Sequence, residues 1–179
     1  GECTFTAVQF DTVEPFKVIN DATPIGKVPD LTPADYRPNG GTPLLDALGK
    51  LIRTIEKRVD TLTVSEDQIV VVFTDGQENS STEWTRETLF NLIEAKEKEG
   101  WTFIFMGANQ DSYETGDGLG IKYKNTQNFA GDGRGTRAAW SSLDRAFSEY
   151  RYAVPAQKAH RKGDFYRGRK EAEEDMGSR

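Results

Sequence analysis

The chain has 179 residues, with 29 acidic against 23 basic side chains and a formal net charge of -6. That length suits one domain with a sizeable buried core and is short for two. The acidic balance excludes nucleic acid and anionic membrane as default partners, since both reward clustered Lys and Arg. No apolar run reaches the roughly 20 residues that span a bilayer, and no charged-then-apolar signal opens the chain. Cys3 is the single cysteine, so there is no internal disulfide and no zinc-ligand spacing of Cys and His. These features point to a reducing, cytoplasmic setting. The first residue is Gly1 rather than Met, which reads as a processed end, a boundary or a fragment.

In chain order, Thr4 to Phe10 (TFTAVQF) has the β-branched and aromatic content of a strand, and Phe16 to Ile19 reads as a shorter, edge-type strand after Pro15. Residues 20–39 are Pro-rich and looplike, with one helical turn expected at Thr32 to Tyr36. Gly40-Gly41-Thr42-Pro43 then predicts a helix start, with Thr42 as N-cap and Pro43 in the first turn. Leu44, Leu45, Leu48, Leu51, Ile52 and Ile55 recur at helical spacing up to about Val59. The run QIVVVFT, Gln68 to Thr74, lacks alternation and predicts a central parallel strand covered on both faces. A helix over Thr85 to Lys98 follows, closed by Gly100, then a buried strand over Trp101 to Met106. A Gly-rich turn, a weak strand at Thr126 to Phe129 and a helix from Thr136 to about Tyr152 complete the pattern. Alternating strands and helices define a parallel α/β sheet flanked by helices. From Pro155 the apolar pattern stops, and the charged composition predicts a solvated tail or exposed helix.

Ligands of open α/β sheets gather outside the carboxyl ends of the strands. Asp75 sits at such an end, directly after a buried run, and Gly76 allows a sharp turn beside it; a loop-capping role is the structural alternative. Thr42, at the start of a helix, adds a hydroxyl oxygen, and its structural alternative is the N-cap. Together they form an all-oxygen pair suited to a hard cation such as Mg²⁺, Mn²⁺ or Ca²⁺. Glu78, Asn79, Asn109, Gln110 and Asp11 follow strand ends and are read first as loop hydrogen-bonding residues. His160 is the only histidine and falls in the polar tail. Cys3, Trp101, Phe103, Phe105, Trp84 and Trp140 are assigned to packing, and Gly116, Gly118 and Gly120 to a turn between a short helix and a strand.

The segments GGTPLLDALGKLI, VVVFTDGQENSS and WTFIFMGANQD, in that order, resemble a bacterial von Willebrand factor A-type domain. The resemblance covers roughly residues 3–152. It divides the chain into a partial domain over residues 1–152 and a charged C-terminal tail over residues 153–179. It implies a three-layer, mostly parallel Rossmann-like sheet. In the family, a metal-ion-dependent adhesion site uses Asp-x-Ser-x-Ser after the first strand, a Thr before a helix and an Asp after the fourth strand. By resemblance Thr42 is the second element and Asp75 the third. The first element occurs nowhere in this sequence. TFTAVQF resembles the second strand, so the central first strand and its loop are expected upstream of Gly1. With the family order 3-2-1-4-5-6, that omission opens a gap in the sheet.

One carboxylate and one hydroxyl leave most of a six-coordinate shell to water, so metal affinity is expected to be weak or absent in this chain alone and present in the complete domain. The resemblance implies a noncatalytic protein-binding module, bacterial or phage-associated, whose ion bridges to an acidic residue of a protein ligand. Two alternatives stand beside it: a metal-dependent phosphohydrolase-like enzyme using Asp75, for which nucleophile, base and phosphate-binding Lys are not evident, and a metal-free structural scaffold.

Overall fold

The computed structural model describes residues 2–32, 35, 39–63, 66–108 and 111–178. The chain forms two compact units. The first comprises Gly1–Leu62 with Glu78–Thr85, and the second Thr63–Gln77 with Arg86–Arg179.

In the first unit, β1 (Thr4–Gln9) and β2 (Lys17–Pro24) pair antiparallel, with Val8 opposite Val18 and Gln9 opposite Lys17. Asp11 closes the connection between them: one carboxylate oxygen accepts the backbone N–H groups of Val13 and Glu14, both at 2.7 Å, in the manner of an Asx turn. The second strand is longer than its sequence suggests, because pairing with β1 carries it through to Pro24. Cys3 is exposed beside this hairpin rather than buried, since β1 opens on its exposed residues. Helix α1 (Leu44–Val59) buries Leu44, Leu45, Ala47, Leu48, Gly49 and Ile52 on the face its periodicity marks out. Its start departs from expectation. Pro43 occupies the N-cap position and no side chain of that residue or of Thr42 caps the helix; the first-turn amides are satisfied from elsewhere in the unit, as described below. Of the helical turn expected at Thr32 to Tyr36, Thr32 and Asp35 are joined by an Asp35 N–H to Thr32 carbonyl bond of 2.9 Å; the other residues of that turn lie outside the described residues.

The second unit is α/β. Strands β3 (Ile69–Thr74), β4 (Thr102–Ala108) and β5 (Thr126–Phe129) form a parallel sheet in the order β3-β4-β5. It is flanked by α2 (Arg86–Lys98), α3 (Ser112–Gly118) and α4 (Gly133–Arg151). All seven residues of β4 are buried, as a central parallel strand requires. Ile104, Met106 and Ala108 pack into one core with Phe129 and with Ala139, Leu143, Ala146 and Tyr150 of α4. Asp132 caps α4 through the N–H groups of Arg134 and Gly135 at 3.0 and 2.7 Å, which starts the helix three residues before Thr136. Of the three tryptophans assigned to packing, the two in this unit differ. Trp101 is buried, whereas Trp140 is 49% exposed and stacks on Phe73 at 4.9 Å.

The β1-β2 pair is a separate antiparallel sheet beside the parallel β3-β4-β5 sheet of the α/β unit. One expectation is corrected here. After Tyr152, where a solvated tail or exposed helix is expected, the segment is helical and forms α5 (Pro155–Arg161) and α6 (Glu171–Gly177). Helix α5 is exposed, as the second alternative has it, but the segment is not solvated throughout: Phe165, Tyr166 and Ala172 are buried in the α4 core. Phe165 and Tyr166 fall between the two short helices, so no helical period marks them in the sequence, yet they are buried in the core.

Candidate functional site

Thr42 belongs to the first unit and Asp75 to the second, so each is built from its own surroundings.

Thr42 is held by its backbone. Its N–H donates to Asn79 Oδ1 at 2.8 Å and its carbonyl accepts the Asn79 N–H at 3.2 Å. Just before it, the Gly41 N–H donates to Thr12 Oγ1 at 3.0 Å. Gly40 has φ +84°, and a Cβ on Gly40 or Gly41 would run into Thr12, or into Ser80 and Asn79, respectively. The glycine pair is therefore required by a left-handed backbone and by close approach. The Thr42 hydroxyl itself makes no hydrogen bond among the described residues.

The loop after residue 77 supplies the cap that Thr42 does not. The Leu45 N–H donates to Glu78 Oε2 at 2.9 Å and to Ser81 Oγ at 3.0 Å, and the Asp46 N–H donates to Ser81 Oγ at 3.1 Å. Glu78 also accepts the N–H groups of Ser80 and Ser81, both at 2.8 Å. In return, the Asp46 carboxylate in the first turn of α1 accepts the N–H groups of Thr82, Glu83 and Trp84 at 2.8 to 2.9 Å. Loop and helix thus cap each other. Burial opposes the charge of Glu78, but the Ser81 and Leu45 amides outweigh it and hold the carboxyl below its ordinary value. Asp46 is lowered in the same way: burial opposes it, and the Thr82, Trp84 and Glu83 amides prevail. Sequence reading placed Glu78 and Asn79 among loop residues without finding their helix-capping partners, and missed Asp46 and Ser81. The available signal was Glu-x-Ser-Ser, an acceptor followed by donors at two and three residues.

In the second unit, Thr74 ends β3 with a buried side chain whose hydroxyl donates to the Gly76 carbonyl at 3.0 Å and accepts the Gly76 N–H at 3.2 Å. This pins the turn from both sides. Asp75, between them, is exposed at the carboxyl end of β3 and makes no hydrogen bond or ion pair among the described residues. Asn109 and Gln110 lie outside the described residues. Asp111 caps α3 through the N–H groups of Tyr113 and Glu114. His160 lies on α5 and is exposed. It borders a cavity of about 770 Å³ at the amino ends of the strands, the opposite end of the sheet from Asp75. Charges there are paired, with Lys162 2.7 Å from Asp67 and Lys122 2.7 Å from Glu97.

The chemistry available at Thr42 and Asp75 is that of hard oxygen donors. Among the described residues no group of three or more His, Cys, Asp or Glu side chains converges on a metal position, and no helix is long and apolar enough to cross a membrane. No family model matches the chain, and no curated protein or solved structure matches it.

Proposed function

We propose that this chain is part of a noncatalytic protein-binding module of the von Willebrand factor A type, in which Thr42 and Asp75 supply two oxygen ligands to a divalent cation and an upstream segment supplies the rest. The observation that carries this reading is which oxygens are uncommitted. Of the polar residues that the sequence singles out around Thr42 and Asp75, Asp11, Glu78 and Asn79 spend their side chains on backbone amides. Thr42 and Asp75 spend neither hydroxyl nor carboxylate, while the backbone around each is fixed by others. Rigid backbone with free oxygen donors is the arrangement a cation site needs.

A second feature favours an upstream contribution. β3 is apolar from Ile69 to Phe73, carries no charge or Pro, and pairs with β4 alone among the described residues. Natural edge strands are blunted by charges, Pro, bulges or covering elements. A strand of this composition suits pairing on both sides, and β1 likewise pairs with β2 alone. In this reading the completed site leaves one coordination position for an acidic group of a partner protein. The ion bridges the two, and no covalent bond is broken.

The test is calorimetric titration of Mg²⁺ and Mn²⁺ into this chain and into a version extended upstream by one strand and its loop, each with and without Asp75→Ala. The reading expects binding by the extended protein that Asp75→Ala abolishes, and weak or no binding by this chain. Metal binding by neither protein would instead support a metal-free scaffold.

A further inference from the structure

The outer edge of β5 is closed by the C-terminal segment of the same unit, and the closure is unusual in what holds it. The Thr126 N–H turns back to the Tyr123 carbonyl. The Asn128 N–H donates to Glu173 Oε1 of α6 at 2.9 Å. That same oxygen accepts the hydroxyl proton of Tyr113 in α3. Lys170, just before α6, donates to the Tyr113 hydroxyl oxygen and lies over the Tyr113 and Tyr123 rings, 4.5 and 4.7 Å from their centroids. The rest of α6 is fastened by ion pairs, Arg145 with Glu171 and Arg134 with Asp175. Only Ala172 of the helix is buried, and its N–H donates to Ser142 Oγ at 3.3 Å.

A seven-residue helix does not hold its own structure in water, and one methyl group is a small apolar anchor. Docking of α6 therefore depends on its charged contacts, and Glu173 joins three elements through one oxygen. We propose that α6 is a charge-latched strap that undocks as a unit, and that its release unprotects the β5 edge and loosens α3 together. The consequence reaches beyond α6 because α3 follows the carboxyl end of β4 and is anchored there: the Ser112 hydroxyl donates to the Gly107 carbonyl and its N–H to Asn128 Oδ1. The strap thus couples the C-terminal segment to the end of the sheet on which Asp75 lies. Regions fastened by few apolar contacts open as cooperative subunits below the global unfolding free energy.

Residue-resolved amide hydrogen exchange tests this on the whole chain. Glu173→Ala should raise exchange at Asn128 and at the α3 amide of Thr115 by about tenfold or more, with Phe105 in β4 unchanged. Glu173→Gln, which keeps an acceptor oxygen, should have a much smaller effect. The decisive variant is Asp175→Asn, which removes the charge of the Arg134 latch while leaving in place Glu173, the residue that bonds β5 and α3. A strap predicts faster exchange at both Asn128 and Thr115 in that variant. No change at those amides would overturn the proposal and leave Glu173 as a local hydrogen-bond acceptor. Equal acceleration at Phe105 would also overturn it, by making α6 integral to the fold.

Discussion

Glu78 and Leu45 are joined across 33 residues of sequence by a 2.9 Å hydrogen bond from the Leu45 amide to the Glu78 carboxylate. An α-helix leaves its first four N–H groups without internal partners, and here the partners arrive from a distant loop because Pro43 at the N-cap brings no side-chain acceptor. Glu78→Ala removes the acceptor for the Leu45, Ser80 and Ser81 amides and should cost about 1–3 kcal/mol. Ser81→Ala, which leaves Glu78 in place to serve Leu45, should cost less. Urea denaturation followed by circular dichroism would measure both.

The same clasp makes stability depend on pH. Glu78 and Asp46 are held below their ordinary values of 4.5 and 3.8. A carboxyl whose folded pKa is depressed binds its proton more readily in the unfolded chain, so it adds stability above its unfolded value. That contribution is lost as pH falls through the folded value. Glu149 and Glu171 are lowered as well: burial opposes both charges, and bonding to Arg145 prevails, so their contribution has the same sign. Unfolding free energy should therefore be nearly constant in these groups above pH about 5 and decline below about 4. The double variant Asp46→Asn with Glu78→Gln should be less stable at neutral pH and show a shallower acid decline. An equally steep decline in that variant would assign acid sensitivity to other carboxylates.

Gly49 lies in the middle of α1, where Ala is ordinarily better by about 1 kcal/mol. Here the sign should reverse. A Cβ at this position would overlap the Trp84 indole, including a 2.7 Å approach to Nε1, and the ring cannot flex away as an aliphatic chain end can. Gly49→Ala should destabilise by about 1–3 kcal/mol. In the Trp84→Leu background, which vacates the ring, the same change should be neutral or stabilising; thermal denaturation of the four proteins closes the cycle.

Elements with a regular period were legible in the sequence, and those set by distant partners were not. The residues of β4, the face of α1 and the alternation through α4 follow from residue pattern because burial on one face or two leaves a period. Thr42 was misread as a cap because a threonine before a helix is locally sufficient for that role, while the actual acceptors, Glu78 and Ser81, become visible only when the loop folds back. Trp140 looked like core and is half exposed, with its ring stacked on Phe73. The C-terminal segment looked solvated because Phe165, Tyr166 and Ala172 stand among charges whose partners, such as Arg145 for Glu171, sit on another helix.

That segment gives a direct test. Phe165 is fully buried against Phe147 and Tyr150, and its N–H donates to Asn125 Oδ1 at 2.9 Å. Phe165→Ala should cost about 3–5 kcal/mol, far more than any substitution in a solvated tail. A loss below about 0.5 kcal/mol in chemical denaturation would contradict this packing.

Thr74 and Asp75 are adjacent and should respond in opposite ways. Thr74 is buried, and its hydroxyl serves both the N–H and the carbonyl of Gly76. Thr74→Val preserves shape, removes two hydrogen bonds of a buried hydroxyl and should cost about 1–3 kcal/mol. Asp75 is exposed and bonded to nothing among the described residues, so Asp75→Ala should change stability by no more than about 0.5 kcal/mol. The contrast separates two reasons for a carboxylate at the end of β3. If Asp75 capped the turn, removing it would weaken the fold as Thr74→Val does; if it is kept for a ligand, stability is unchanged and the loss appears in cation binding by the upstream-extended protein. Denaturation of the two variants side by side decides between these, because the turn already has its hydrogen bonds from Thr74 and Asp75 adds none.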